Sequence, residues 1–531
     1  MKKTLKVALV VLMILCVCTG CSSGSKDKKE TADSEVIFKV AISGGYDTLN
    51  PFTTESSLVY DFLNFCYDSL IAYDNDFNAI PRLAESWSCS EDNLDWTFHL
   101  RKDAVFSDGE SLTSADVKWT YENALDSYMY STHASGFVSI ECPDDYTVVF
   151  HCENPKPDML YQIVPILPEH VWSNVEDILT YETDTVIGSG PFIYDAKRSV
   201  NGNIAFVRND KYWGDKPFID VLVFTQYDNY DTMAQAMQLG EVDACYDLDR
   251  TQYDKLSANS DFYVERYEGF SEEHLAYNML NEVTGDKVIR YAIDYCFDRA
   301  SAVEMGYGGF AEPGYGIVNN AGYKYQPAAD VLRELNFDKA NALLDEAGYL
   351  DTDGDGIRER NGKPLSLELV TASERTSWQS AVVNMMITNC AKAGIEITWT
   401  TLEKITMWDT CCDGNPDWQL YLDGWGGDAD PGMILCLFQD WETAGYSTTG
   451  YSNPAFDEAY NRVFSTVDVE ERAAAIEECQ RILYEDSPYT VICYDYNVQA
   501  ISKRWTGYST AGIGLFGNER INNYVSVKPA Q

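Results

Sequence analysis

Trp96-Thr-Phe-His-Leu-Arg101, Phe106-Ser-Asp-Gly109 and Leu112-Thr-Ser-Ala-Asp-Val117 follow one another with only short gaps. From Leu94 to Leu100 apolar and polar residues alternate, which sets Trp96, Phe98 and Leu100 on one face of a strand. Ser107-Asp-Gly109 has the residues of a tight turn. Thr113 can then cap a helix, with Asp116 in its first turn. The period of the pattern thus changes from a strand's two to a helix's 3.6 across one turn.

The same change recurs along the chain. Val36–Ile42 alternates as a strand, and Tyr146–Cys152 does so after the Pro143-Asp-Asp turn, suggesting a hairpin. Ala340, Leu343, Leu344 and Ala347 share a helical face that ends at Gly348. Ser377–Lys392 is a second helix, stopped near Gly394. Ile395, Ile397 and Trp399 then alternate as a strand, and Glu470–Glu485 is a further amphipathic helix. Strand–helix alternation of this extent predicts an α/β fold. At 531 residues the chain exceeds one ordinary core, so two or three lobes are expected.

The formal net charge of −45 repels phosphate backbones, so a nucleic-acid partner is excluded as a reading. After residue 24 no GxSxG occurs, the chain has no HExxH or P-loop, and the five histidines are scattered. Gly512-Ile-Gly514-Leu-Phe-Gly517 matches GxGxxG, but too little chain follows for a βαβ unit. An enzyme is not expected, nor is a cofactor. Aromatic residues make up 13% of the chain, an excess that suits a protein gripping organic ligands.

Lys2, Lys3 and Lys6 precede an apolar run, Val7–Val17, too short to span a bilayer comfortably. Thr19, Gly20 and Cys21 come next, then the polar stretch Ser22–Ser34. This resembles a bacterial lipoprotein signal peptide. The resemblance implies that residues 1–20 are removed, that Cys21 carries the lipid, and that 21–35 is a flexible tether. Two acyl chains on one cysteine suffice for stable anchoring. The expected location is the extracellular face of a bacterial cell membrane.

Of 15 cysteines, Cys16, Cys18 and Cys21 belong to this leader region, leaving twelve. Among these twelve there is no CxxC, so a structural zinc site is not expected, and buried free thiols are the default. Asp351-Thr-Asp353-Gly-Asp355-Gly356 looks like the opening of a calcium loop, with Glu359 as a substitute ligand. Gly362 stands where the bidentate glutamate belongs, so a Gly-rich hairpin turn is the preferred reading and no metal is expected.

Several segments together resemble the family 5 extracellular solute-binding proteins, the oligopeptide- and dipeptide-binding lipoproteins of ABC importers. They are Asp47-Thr-Leu-Asn-Pro51, Pro81-Arg-Leu-Ala-Glu-Ser-Trp87, the stretch from Trp96 to Val117, Gly188-Ser-Gly-Pro-Phe192, Asn209-Asp-Lys-Tyr-Trp213 and Gly240-Glu-Val-Asp243. The resemblance implies a two-lobed, periplasmic-binding-protein-like fold of type II with a subdomain inserted in the first lobe. Lobe I would comprise 36–75, 186–273 and 496–531, the insert 76–185, and lobe II 274–495. Hinges would lie near Tyr267–His274 and Tyr494–Val498.

The resemblance also implies binding residues. Trp425-Gly-Gly-Asp-Ala-Asp430-Pro431 is similar to the segment lining the family pocket, where the aspartate before the proline meets a peptide's α-amino group. Asp430 holds that place and Asp428 is its rival. Trp425 would stack on the ligand and Gly426 would let the backbone come close. Arg375 either pairs with the ligand's carboxylate or opens the following helix in solvent. Tyr46 would touch ligand backbone. The expected partners are a peptide, the ABC permease subunits and the membrane through the lipid, with the protein a monomer. Nickel chelates, haem, oligosaccharides, or a peptide or pheromone sensing role are the alternatives.

Overall fold

The computed structural model describes residues 35–531, apart from 75–76, 128–129, 162, 183–184, 321, 374–375, 412–413, 428, 441–446, 511–513 and 517–520. Cys21, Arg375, Asp428, Cys412, Gly512 and Gly517 therefore lie outside the described residues. The chain divides into Met1–Glu35 and a body, Val36–Gln531. No helix among the described residues is long and apolar enough to cross a membrane.

A 12-stranded mixed sheet runs through the body. Ile37–Ile42 lies in its first half, parallel to Val221–Gln226 and to Ala244–Leu248. The second half holds Glu272–Tyr277, Leu420–Trp425, Ser366–Ala372 and Glu396–Leu402. One strand, Tyr489–Ser502, belongs to both. Its first residues pair with Glu272–Tyr277 and with Ala311–Pro313. Its last residues pair with Ala244–Leu248 and Phe262–Glu268. The chain leaves Phe262–Glu268 and enters Glu272–Tyr277 beside it, so the backbone passes twice from one half-sheet to the other. This is the two-lobed α/β fold that the motifs imply.

Each half-sheet is covered on two faces. Along Ser366–Ala372, Leu367 and Leu369 enter one core with Ile293 and Val382, while Val370 and Ala372 enter another with Leu435 and Ile476. Strand alternation alone produces that division. In the first lobe, Phe62, Phe65, Phe206 and Phe224 form an aromatic core, with Phe65 stacked on Phe224 at 5.6 Å.

A separate four-stranded antiparallel sheet is built from Ala84–Cys89, Asp95–Leu100, Thr147–Cys152 and Phe137–Asp144. Trp96, Phe98 and Leu100 are all buried. The helix Ser114–Asn123 starts with a reciprocal capping box between Thr113 and Asp116. Asp116 also accepts the backbone N–H of Glu169 at 2.9 Å, which ties this helix to the short helix Glu169–Trp172. The helices Phe337–Glu346, Thr376–Ala391 and Val469–Asp486 stand where periodicity places them.

Candidate functional site: a cleft between the lobes

A cavity of about 860 Å³ opens where the two half-sheets and the four-stranded sheet meet. One wall is apolar. Phe77 and Ala79 come from the hairpin Ile71–Tyr73/Ala79–Pro81, Trp87 and Trp96 from the four-stranded sheet, and Pro157 and Leu160 from a following turn. The other walls are charged. Glu265, Arg266 and Glu268 come from Phe262–Glu268, the strand that ends at the crossing between lobes, and Arg472 from the helix Val469–Asp486. Ala429 and Pro431 bring the Trp425–Pro431 segment to the rim.

Asp430 is 3% exposed, behind that rim. Its carboxylate accepts the backbone N–H of Gly432 at 2.8 Å. It also receives Nη2 of Arg472 at 2.6 and 2.9 Å. Arg472 Nε donates to the carbonyl of Val463 at 3.1 Å, and its guanidinium lies 5.3 Å from the centre of the Tyr161 ring. Burial lifts the Asp430 carboxyl above the usual carboxylate range, against the opposing pull of Arg472. A protein cation thus already lies against Asp430, the carboxylate expected to face a ligand ammonium. Arg472 lines the cleft in its place. A sequence signal for Arg472 exists: it shares a helical face with Ala475, Ile476 and Cys479, where a charge needs a partner.

Trp425 ends the strand Leu420–Trp425. Its indole N–H donates to the Tyr489 hydroxyl at 3.1 Å and its ring meets Trp408 edge-on at 4.7 Å. Tyr489 in turn stacks on the buried His274 at 3.7 Å. Trp425 is thus packed within lobe II, beside the cleft and not among its described lining. A Cβ on Gly426 would meet nothing within 4 Å. Gly427 is the crowded glycine, since its Cβ would lie 2.9 Å from the carbonyl oxygen of Phe270. Tyr46 is 40% exposed, packs edge-on to Phe62, and is not among the residues lining the cleft.

Lys324 lies between the carboxylates of Glu268 and Glu312, which neutralises part of the charged wall. Phe77, Trp87, Tyr161, Glu268 and Arg472 are among the cleft residues that sequence reading missed. Their separations in the chain hide them until the fold assembles.

On the exposed hairpin loop, Asp351, Asp353, Asp355 and Glu359 place one carboxylate oxygen each within 4.8 Å of the others. Asp351 accepts the N–H groups of Gly354 and Gly356, and Glu359 accepts that of Thr352. The loop's own amides therefore already use these oxygens, as a hairpin turn requires.

Two half-sheets flanking a ligand-sized cleft are the architecture of a solute-binding protein. Residues 78–445 match the family described as bacterial extracellular solute-binding proteins, family 5 Middle. The chain belongs to that family. It is 29% identical over 493 residues to Protein XP55 of Streptomyces lividans, covering 91% of this chain and 87% of the relative. It is 25% identical over 526 residues to the oligopeptide-binding protein AppA of Bacillus subtilis, covering 96% of each. The fold is shared with AppA in complex with a nonapeptide (TM-score 0.73, 23% identity, 94% of this chain and 100% of that one). It is shared equally with NikZ of Campylobacter jejuni in complex with Ni(L-His) (TM-score 0.75, 21% identity, 92% and 99%).

Proposed function

We propose that this chain is the extracellular ligand-capturing subunit of an ABC importer and that its ligands are short peptides. The observation that carries the reading is the two-sided cleft. A peptide has apolar side chains for the wall of Phe77, Trp87 and Trp96, and polar backbone and termini for the wall of Glu265, Glu268 and Arg472. The peptide-binding relative AppA, matched along nearly the whole chain, supports the same ligand class. No histidine stands among the described residues lining the cleft, which disfavours a metal chelate as cargo.

The lobes are 36–75 with 186–273 and 496–531, and 274–495, with 76–185 inserted. The hinges are Tyr267–His274 and Tyr494–Val498. The pairing of Tyr489–Ser502 with strands of both half-sheets supports this division. Ligand touching both lobes favours the closed state, and the permease subunits recognise that state. Asp430 acts through Arg472: it holds the guanidinium at the cleft wall, where a ligand carboxylate or carbonyl meets it. The protein acts as a monomer held at the outer face by lipid on Cys21. It carries no catalytic role.

The test is thermal unfolding of the purified full-length chain, refolded beforehand to strip bound ligand. It is titrated with di-, tri- and longer peptides, and with sugars and nickel–histidine as controls. A peptide at 100 times its dissociation constant adds about 2.7 kcal/mol of stability. A response to a control with none to peptides would remove the peptide reading.

A further inference from the structure

Phe77 occupies a backbone conformation that its side chain disfavours. In the hairpin Ile71–Tyr73/Ala79–Pro81, Asp74 N–H donates to the Asn78 carbonyl at 3.0 Å, and Phe77 N–H to the Asp74 carbonyl at 3.3 Å. Phe77, the residue before Asn78, has φ 62. Glycine or asparagine is the usual occupant of such a place. The other described non-glycine residues at positive φ are Asn93, Asn201, Asn361 and Ser487, all short and polar. A bulky aromatic at such a position is an outlier, and outliers of this kind persist where function holds them.

The ring's surroundings supply the reason. Phe77 lines the cleft, as does Trp87. It meets Phe270 edge-on, with centroids 5.1 Å apart. Phe270 lies on the crossing between Phe262–Glu268 and Glu272–Tyr277, and its carbonyl accepts the N–H of Gly427 at 3.2 Å. The strained residue thus stands on the cleft's apolar wall and touches the segment by which the lobes are joined.

We propose that Phe77 is a specificity-determining residue: with Trp87 it forms an aromatic seat for one apolar side chain of the bound peptide. The inference rests on the peptide reading and adds a ligand preference to it. The strain is retained because a flat ring at this point gives contact area at little cost in side-chain freedom. Charged side chains are disfavoured there, since no partner for them stands on that wall among the described residues.

The test compares the full-length chain with its Phe77→Gly, Phe77→Asn and Phe77→Leu variants. Peptide sets carry Phe, Leu, Ala or Lys at each position in turn. Glycine and asparagine accept the backbone conformation, which offsets the packing lost with the ring, so both variants stay folded. At one peptide position the wild type favours Phe over Ala by about tenfold, and Phe77→Gly and Phe77→Asn bring the two peptides to within about twofold of each other. Phe77→Leu retains part of the preference. A Phe-over-Ala ratio unchanged in Phe77→Gly overturns the seat while leaving peptide binding standing. A wild type that binds none of the peptides overturns both.

Discussion

The carboxylate of Asp430 and the guanidinium of Arg472 form a buried ion pair at 2.6 Å, with side chains 3% and 7% exposed. Their burial makes each the condition for the other's charge. Arg472→Met leaves a carboxylate in a dry site and costs about 3–5 kcal/mol. Asp430→Asn with Arg472→Met removes both charges and recovers much of that loss. Denaturant unfolding of the two single variants and the double variant reads the coupling. Losses that simply add would show that the two groups act independently.

Glu272 gives the protein a stability that declines with rising pH. Burial lifts its carboxyl well above the ordinary range; the Trp425 N–H at 3.3 Å pulls it down, and the nearby Asp423 and Asp495 push it up again. His274 Nδ1 lies 2.9 Å from the same carboxyl group. The native state thus keeps a proton that the unfolded chain releases near its ordinary value of about 4.3. Between that value and the raised native one, stability falls as pH rises. Glu272→Gln flattens the decline, and urea midpoints from about pH 5 to pH 8 measure it. A variant with the wild-type slope would assign the decline to other groups.

Gly190 is a glycine for want of room. A Cβ there would lie 2.4 Å from the carbonyl oxygen of Phe65, and on Gly188 it would lie 2.0 Å from that of Cys66. Both obstacles are backbone, so neither can swing aside. Gly190→Ala costs about 1–3 kcal/mol or more, read from the denaturation midpoint. An unchanged midpoint would mean that the helix Ser57–Cys66 shifts at little cost.

Thiol labelling of the native protein sorts the cysteines by burial. Among the eleven described cysteines only Cys436 is exposed. Burial pushes the Cys66 and Cys479 thiols up to about 12 and Cys152 up to about 11, so they hold little thiolate. Peptide mapping after brief labelling finds Cys436 modified first among these eleven. Fast labelling of Cys66 would show that its surroundings open readily.

Local features were legible in the residues. The alternation of Trp96, Phe98 and Leu100, the Thr113–Asp116 cap and the glycine stop at Gly348 each depend on near neighbours in the chain. The Trp425–Pro431 segment was found through its resemblance, and its Ala429 and Pro431 do line the cleft. The charge partner within it was not legible, because Arg472 is 42 residues away. Gly426 and Gly427 look alike in sequence, yet Phe270 crowds only the second. Phe77 reads as an ordinary turn neighbour until its φ and its ring contacts are known.

The sequence by itself determined the α/β class, the order of elements, the leader-like amino terminus and the likeness to solute-binding proteins. Short-range periodicity, capping and motif order carry all of these. Only the tertiary structure decided which carboxylate lies against a cation, which aromatics share a wall and where one strand passes between half-sheets. Glu268 pairs with Tyr496, and Tyr161 meets Arg472, across hundreds of intervening residues. Burial and charge pairing at such contacts depend on the whole chain's packing, which no local pattern encodes.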